Sequence, residues 1–196
     1  MVMRLLFRLL FVTLFVTPLA GQDTEFIRAL DKAQEQRPAT LTATARIAPE
    51  SEPGTPLVIH GHAFAEDGKT PLANATIFAY HTDKEGVYDR PGTSAHSWRL
   101  RGWAKTGGDG RFEFTTIRPG AYPGRREPAH IHVGIQGPGI ARFWTGGILF
   151  DDDPLVTEAL RAESTRAGQF GEVRTVTMRD GVQHVDFNMR VTGESY

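Results

Sequence analysis

The sequence predicts a mainly β fold, an antiparallel sandwich or barrel-like domain, and three observations carry that expectation. Short runs of β-branched and aromatic residues recur from Leu57 onward, divided by Gly, Asp and Asn. Two of these runs alternate strictly: Phe112 and Phe114 share one face, and Val185, Phe187, Met189 and Val191 share another. Gly and Pro are abundant together, at 21 and 12 residues, as many turns between short strands require.

Taken in order, residues 1–21 read as a secretory signal peptide. Arg4 and Arg8 precede an apolar run over 9–20, and Pro18-Leu19-Ala20-Gly21 supplies small residues for cleavage. That run is shorter than the ~20 residues a membrane span needs, so no stable membrane anchor is expected after cleavage, and a periplasmic or extracellular location is. Residues 23–36 read as a short helix, with Asp23 or Thr24 as cap and Phe26, Ile27, Leu30 and Ala33 on one stripe. The stretch 37–56, rich in Pro, Thr, Ala and Glu, reads as a linker or extended arm, and residues 57–196 as the β domain.

Within that domain the expected strands are 58–65, 75–82, 98–105, 111–116, 129–136, 147–150, 173–178 and 183–191. Turns are expected at Glu66-Asp67-Gly68, Gly107-Gly108-Asp109-Gly110 and Asp180-Gly181. One helical segment is expected at 154–167, with Asp151-Asp152-Asp153 capping it rather than binding calcium.

Bulk properties exclude several function classes. Lys+Arg is 22 and Asp+Glu is 23, a formal net charge of −1, which offers no electrostatic footprint for nucleic acid or an anionic membrane. There is no cysteine, so disulfides and thiolate metal sites are excluded. An exported chain of this kind relies on its core, a metal or self-association, which keeps a homo-oligomer open.

The chemistry-bearing stretch is Arg125-Arg126-Glu127-Pro128-Ala129-His130-Ile131-His132-Val133. Two residues apart in a strand, His130 and His132 project from one face while Ile131 points the other way, so both imidazoles can reach one metal ion. By itself a His-x-His pair on an exposed strand is more often a solvated face than a ligand pair. Upstream, Tyr122 sits in Pro119-Gly120-Ala121-Tyr122-Pro123-Gly124, where Pro and Gly restrict the backbone, and Gly86-Val87-Tyr88 closes the second strand region. A lone Tyr is usually a core or surface aromatic.

Together these residues resemble the intradiol ring-cleavage dioxygenases, such as protocatechuate and catechol dioxygenases. The resemblance runs from about Gly61 to Pro154 through Asp67-Gly68, Pro71-Leu72-Ala73-Asn74-Ala75, Gly86-Val87-Tyr88, Thr106 to Gly110 with Phe112 and Phe114, Thr116 to Pro123, Pro128-Ala129-His130-Ile131-His132, Phe150 and Asp153-Pro154. It implies one iron(III) per chain, held by Tyr88, Tyr122, His130 and His132. Ferric iron is a hard cation that favours anionic oxygen, and its charge stabilises a phenolate that would otherwise be protonated. The implied reaction opens a small aromatic diol between its two hydroxyl-bearing carbons with O2, giving a muconate-type diacid. In it Tyr122 leaves the metal and takes a substrate proton, and the ion serves as Lewis acid and template.

Three positions depart from the family pattern. Glu127 stands where an Arg beside the substrate is usual, Gly147 where a Gln is usual, and Tyr80 where a Trp is usual. They alter the pocket and not the ligand set, and Arg125 or Arg126 could replace the missing guanidinium. A second pair, His60-Gly61-His62, has no Tyr, Asp or Glu pattern accompanying it in a matching family position and reads as a solvated strand. His81, His96 and His184 read as surface or supporting groups, and Trp98, Trp103 and Trp144 as core or pocket walls. Two other readings stand beside the enzyme: a non-catalytic β-sandwich module of the transthyretin or carboxypeptidase-regulatory kind, and an iron-retaining binding protein without turnover.

Overall fold

A computed structural model describes residue 28 and residues 31–88, 98–137 and 139–192, with backbone alone at 141–144. The expected signal peptide, most of the first helix, and His96 lie outside the described residues. Of that helix, residues 31–35 are helical and Ala33 is buried.

Among the described residues, ten strands form two mixed five-stranded sheets. They are β1 (Thr44–Arg46), β2 (Pro56–Phe64), β3 (Thr76–His81), β4 (Leu100–Lys105), β5 (Arg111–Ile117), β6 (His130–Gly137), β7 (Ile140–Phe150), β8 (Val173–Arg174), β9 (Thr177–Arg179) and β10 (Val182–Arg190). The orders are β1-β5-β2-β10-β9 and β4-β3-β6-β7-β8. Neither sheet closes into a barrel, so of the two forms expected the sandwich is the one observed. Its sheets are mixed rather than purely antiparallel: β1–β5, β2–β10 and β7–β8 pair in parallel.

The core lies between the sheets. Leu57, Ile59, Phe112, Phe114, Val185, Phe187 and Met189 from the first sheet meet Ile77, Leu100, Ile131, Val133, Ile135, Ile148 and Phe150 from the second. Each fully buried side chain of this size contributes roughly 1.5–3 kcal/mol. Strand alternation then dictates the outer face of the second sheet. With Ile131 and Val133 in the core, His130 and His132 must point outward, as must Tyr80, which faces His132 across the β3–β6 ladder.

Some expectations need correction. Residues 37–56, expected as a linker or an extended arm, pack onto the sheets: β1 adds to the sheet edge beside β5, and Ile47 and Ala48 are buried in the core. The strand expected at 147–150 extends back to Ile140. The one expected at 173–178 splits, with β8 in one sheet and β9 in the other. The helix is Glu158–Ala167, capped by Thr157, whose side chain accepts from the Leu160 amide. Asp153 caps no helix. Buried, it accepts from the Leu155 amide at 2.8 Å and from the Ala129 amide at 2.9 Å, which ties the turn after β7 to the residue before His130. His81, expected as a surface or supporting group, is fully buried.

Candidate metal centre

Two loops deliver the tyrosines, and glycine is what lets them dock. Gly86 has φ +81° and packs so closely that a Cβ there would lie 1.9 Å from the Ala121 carbonyl oxygen. A Cβ on Gly120 would lie 2.4 Å from the Lys84 carbonyl oxygen. Asp83 ties the first loop together. Its Oδ1 accepts from the Glu85 and Val87 amides, each at 3.0 Å, and its backbone carbonyl accepts from the Gly120 amide at 2.8 Å. The Thr82 hydroxyl donates to the Gly120 carbonyl at 2.8 Å.

This brings all four expected side chains to one point. The Tyr88 and Tyr122 hydroxyls are in hydrogen-bond contact. Tyr122 Oη lies 3.2 Å from His130 Nε2 and 3.2 Å from His132 Nε2, and the two nitrogens are 3.0 Å apart. Around an ion bound at about 2.0–2.1 Å, adjacent ligand atoms stand roughly 3 Å apart, so the cluster has the size of a coordination shell.

The protonation pattern agrees. His130 Nδ1 lies 2.8 Å from the Pro128 carbonyl oxygen, which can only accept, so Nδ1 carries the proton and Nε2 aims a bare lone pair at the cluster. Burial, with the neighbouring His130 and His81, lowers the His132 pKa to about 3 and keeps that ring neutral. Burial raises the pKa values of Tyr88 and Tyr122. The hydrogen bond between them adds to the rise at Tyr88 and opposes it at Tyr122, as expected with Tyr88 donating. One Tyr122 proton cannot serve two imidazole nitrogens, whereas a cation would satisfy all four groups. Among the described residues no three His, Cys, Asp or Glu side chains form a metal site of their own. The donor set is therefore two phenols and two imidazoles, which fits ferric iron.

A cavity of about 460 Å³ opens beside the histidines, lined in part by Arg126, Glu127, Gly147, Leu149, Leu160 and Glu172. Gly147 pairs with His132, and a Cβ on it would make only ordinary contacts, so its lack of a side chain enlarges the cavity. Arg126 and Glu127 thus both reach the pocket, while Arg125 lies over the Tyr122 ring at 5.7 Å. Neither guanidinium forms an ion pair with Glu127 among the described residues.

The other histidine pair is elsewhere. His60 and His62 line a larger groove of about 600 Å³ on the outer face of the opposite sheet. There His60 contacts Glu113 at 3.1 Å and His184 at 3.0 Å, and Arg111 donates to His62 at 2.9 Å. The groove holds no tyrosine, so size alone does not locate the chemistry. Sequence reasoning missed Glu172, which only its tertiary neighbours reveal.

A mixed β-sandwich with two phenols and two imidazoles converging beside one strand defines the class as that of a dioxygenase fold with a tyrosine–histidine centre. The chain belongs to the intradiol ring-cleavage dioxygenase family: the family model described as dioxygenase matches residues 31–193. It is 32% identical over 151 residues to catechol 1,2-dioxygenase 2 of Acinetobacter lwoffii, covering 69% of this chain and 54% of that protein. To catechol 1,2-dioxygenase 1 of the same organism it is 34% identical over 128 residues, 56% of this chain and 40% of the relative. The chain thus spans about half the length of the curated relatives it matches. Among solved structures, the dioxygenase domain of a dioxygenase carbohydrate-binding protein fusion from Streptomyces sp. SirexAA-E is similar at TM-score 0.58 and 27% identity, covering 74% of this chain and 85% of that one. Catechol 1,2-dioxygenase from Acinetobacter sp. ADP1 shares the fold at TM-score 0.60 and 22% identity, over 87% of this chain and 69% of that one.

Proposed function

We propose that this protein is a non-haem iron(III) dioxygenase that opens the ring of a catechol-type aromatic between its two hydroxyl-bearing carbons with O2, giving a muconate-type product. The convergence of Tyr88, Tyr122, His130 and His132 carries the reading. Those four residues would hold one ferric ion per chain. When bound, it supplies Lewis acidity and a template for the diol oxygens.

The protein's own groups do the rest. Pro128 fixes the His130 tautomer and ring orientation through the Nδ1–H bond. Asp153 anchors Ala129 and so sets where β6 begins. Tyr122 is the phenol in contact with both imidazoles, and it belongs to the 118–127 loop, where Gly124 is unobstructed. As the phenolate that a bound ferric ion would stabilise, its oxygen would be placed to take a proton from an arriving diol. Leu149 and Leu160 give the cavity an apolar wall for a ring.

The test is to load the purified protein with iron and follow oxygen uptake with a panel of catechols. Consumption matched by a muconate-type diacid supports the reading. Iron binding with no turnover of any catechol supports instead a binding protein, which Glu127 and Gly147 would favour by altering the pocket. The Arg4, Arg8 and apolar 9–20 pattern supports export with cleavage near Ala20 or Gly21. The intact mass of the exported chain tests this, and a mass retaining residues 1–20 contradicts it.

A further inference from the structure

Glu172 is a carboxylate that the proposed reaction does not use. It follows the 3-10 turn Gly168–Phe170, and its backbone carbonyl accepts from the Leu149 amide at 2.9 Å, which fixes it against β7. Its side chain then crosses that strand where there is nothing to block it. Gly146 has φ +89°, and a Cβ there would sit 1.9 Å from Glu172 Oε1. The β6–β7 register slips by one residue between His132 and Gly134, the local irregularity that accommodates this glycine. Gly147, the next residue of that strand, is the cross-strand partner of His132. Glu172 is thereby held half-buried in the same cavity as His130 and His132.

Glu127 lines that cavity from the opposite loop, and its charge acts on both Tyr88 and Tyr122. Neither carboxylate forms an ion pair among the described residues. Arg126 is the cationic side chain lining the cavity, and it is exposed. Glu172 thus has no ion-pair partner among the described residues, and burial disfavours its charge. A ligand cation would complete it.

We propose that Glu172, assisted by Glu127, is a specificity-determining residue of the catechol pocket and selects ring substituents that end in a protonated amine. The inference rests on the proposed catechol chemistry. Two carboxylates against one exposed guanidinium disfavour an acidic substituent and favour an ammonium group.

Three probes of matched shape test it on the iron-loaded protein: aminoethyl catechol, the neutral propyl catechol, and the acidic carboxyethyl catechol. Anaerobic titration, followed by the visible absorbance change, measures binding without turnover, and oxygen uptake gives kcat/KM. The expected order is amine over neutral over acid, with steps of about tenfold, the scale of a partly screened charge pair. Glu172→Gln keeps the size and shape of the side chain and removes only the charge. It should erase most of the amine advantage and leave the propyl compound within about twofold. A purely structural role for Glu172 would shift all three probes together. Equal affinities in the wild-type protein, or an amine preference that survives Glu172→Gln, overturns the assignment and leaves the catechol chemistry standing. If the iron-loaded protein responds to none of the three or to catechol itself, the proposed function falls and this inference with it.

Discussion

Tyr80 lies flat against His132, with ring centroids 4.5 Å apart and planes 11° from parallel. Behind it Trp98 stacks on Tyr80 at 4.6 Å and 16°. The two stacked partners of the pair are held differently: Tyr80 by the β3–β6 ladder, Trp98 by a backbone at φ +38°, unusual for a bulky residue. The stack fixes the plane of the His132 ring. Tyr80→Ala should therefore lower iron affinity about 10- to 100-fold, the usual effect of removing a ligand's outer support. Tyr80→Phe should keep it. Iron retention against a competing chelator measures both, and equal retention by Tyr80→Ala and the wild-type protein would remove the stack from the account.

Loop docking makes a separate prediction. Gly86→Ala would place a methyl against the Ala121 carbonyl at a positive φ, so the two tyrosine loops must separate. It should destabilise the fold by about 1–3 kcal/mol and reduce iron binding. A Cβ on Gly124, by contrast, meets nothing within 4 Å, although its φ of +74° still favours glycine. Gly124→Asn, a residue that tolerates this conformation, should change neither property by much. Similar losses in both variants would mean that loop packing is not what matters.

Glu127 lies on the pocket wall without an ion-pair partner among the described residues, so its charge should be felt by an anionic diol. Near a surface, unit charges ~4 Å apart interact by roughly 4 kcal/mol at an effective dielectric of 20, and this exposed group should show well under that. Glu127→Arg should improve turnover of acidic catechols such as protocatechuate relative to neutral ones. Unchanged relative kinetics across acidic, neutral and cationic catechols would contradict a pocket role.

His81 gives the fold a pH dependence. It is fully buried, with Nδ1 donating to the Thr82 carbonyl at 2.6 Å and Nε2 within 2.6 Å of the Thr116 hydroxyl. Burial lowers its pKa to about 4. As pH falls through about 6.5 the unfolded chain takes up a proton that the folded chain refuses until about 4, so stability is full above that window and lost across it. In the metal-free protein His132 acts in the same sense. The slope between pH 6 and 5 should approach two protons, about 1.4 kcal/mol per pH unit for each. His81→Gln should drop it to about one proton. Urea unfolding at the two pH values checks this, and an unchanged slope contradicts it.

What was legible in the sequence was what is local. The alternation of Phe112 with Phe114, and of Val185, Phe187 and Met189, reports a half-buried strand directly, and His130 and His132 share a face for the same geometric reason. β1 was hidden because an edge strand of three residues, with no residue fully buried, carries no period. The first half of β7 was hidden by Gly146 and Gly147, which serve the pocket at the expense of strand propensity. Val173 to Met178 looked like one strand because nothing local says that the chain changes sheets there. Asp153 and Glu172 act through partners distant in sequence, Ala129 and Gly146, contacts that exist only once the sheets are packed.

The central claim is that Tyr88, Tyr122, His130 and His132 together hold ferric iron. Its most direct test is the metal content and visible spectrum of the purified protein, compared with His130→Ala, His132→Ala, Tyr88→Phe, Tyr122→Phe and the control His60→Ala. The account predicts about one iron per chain and a visible phenolate-to-iron absorption band. Iron should be lost in both histidine variants, retained better in Tyr122→Phe than in Tyr88→Phe, and unchanged in His60→Ala. A colourless protein that cannot be reconstituted with iron, one that carries zinc from its native host, or loss of iron on His60→Ala would contradict it.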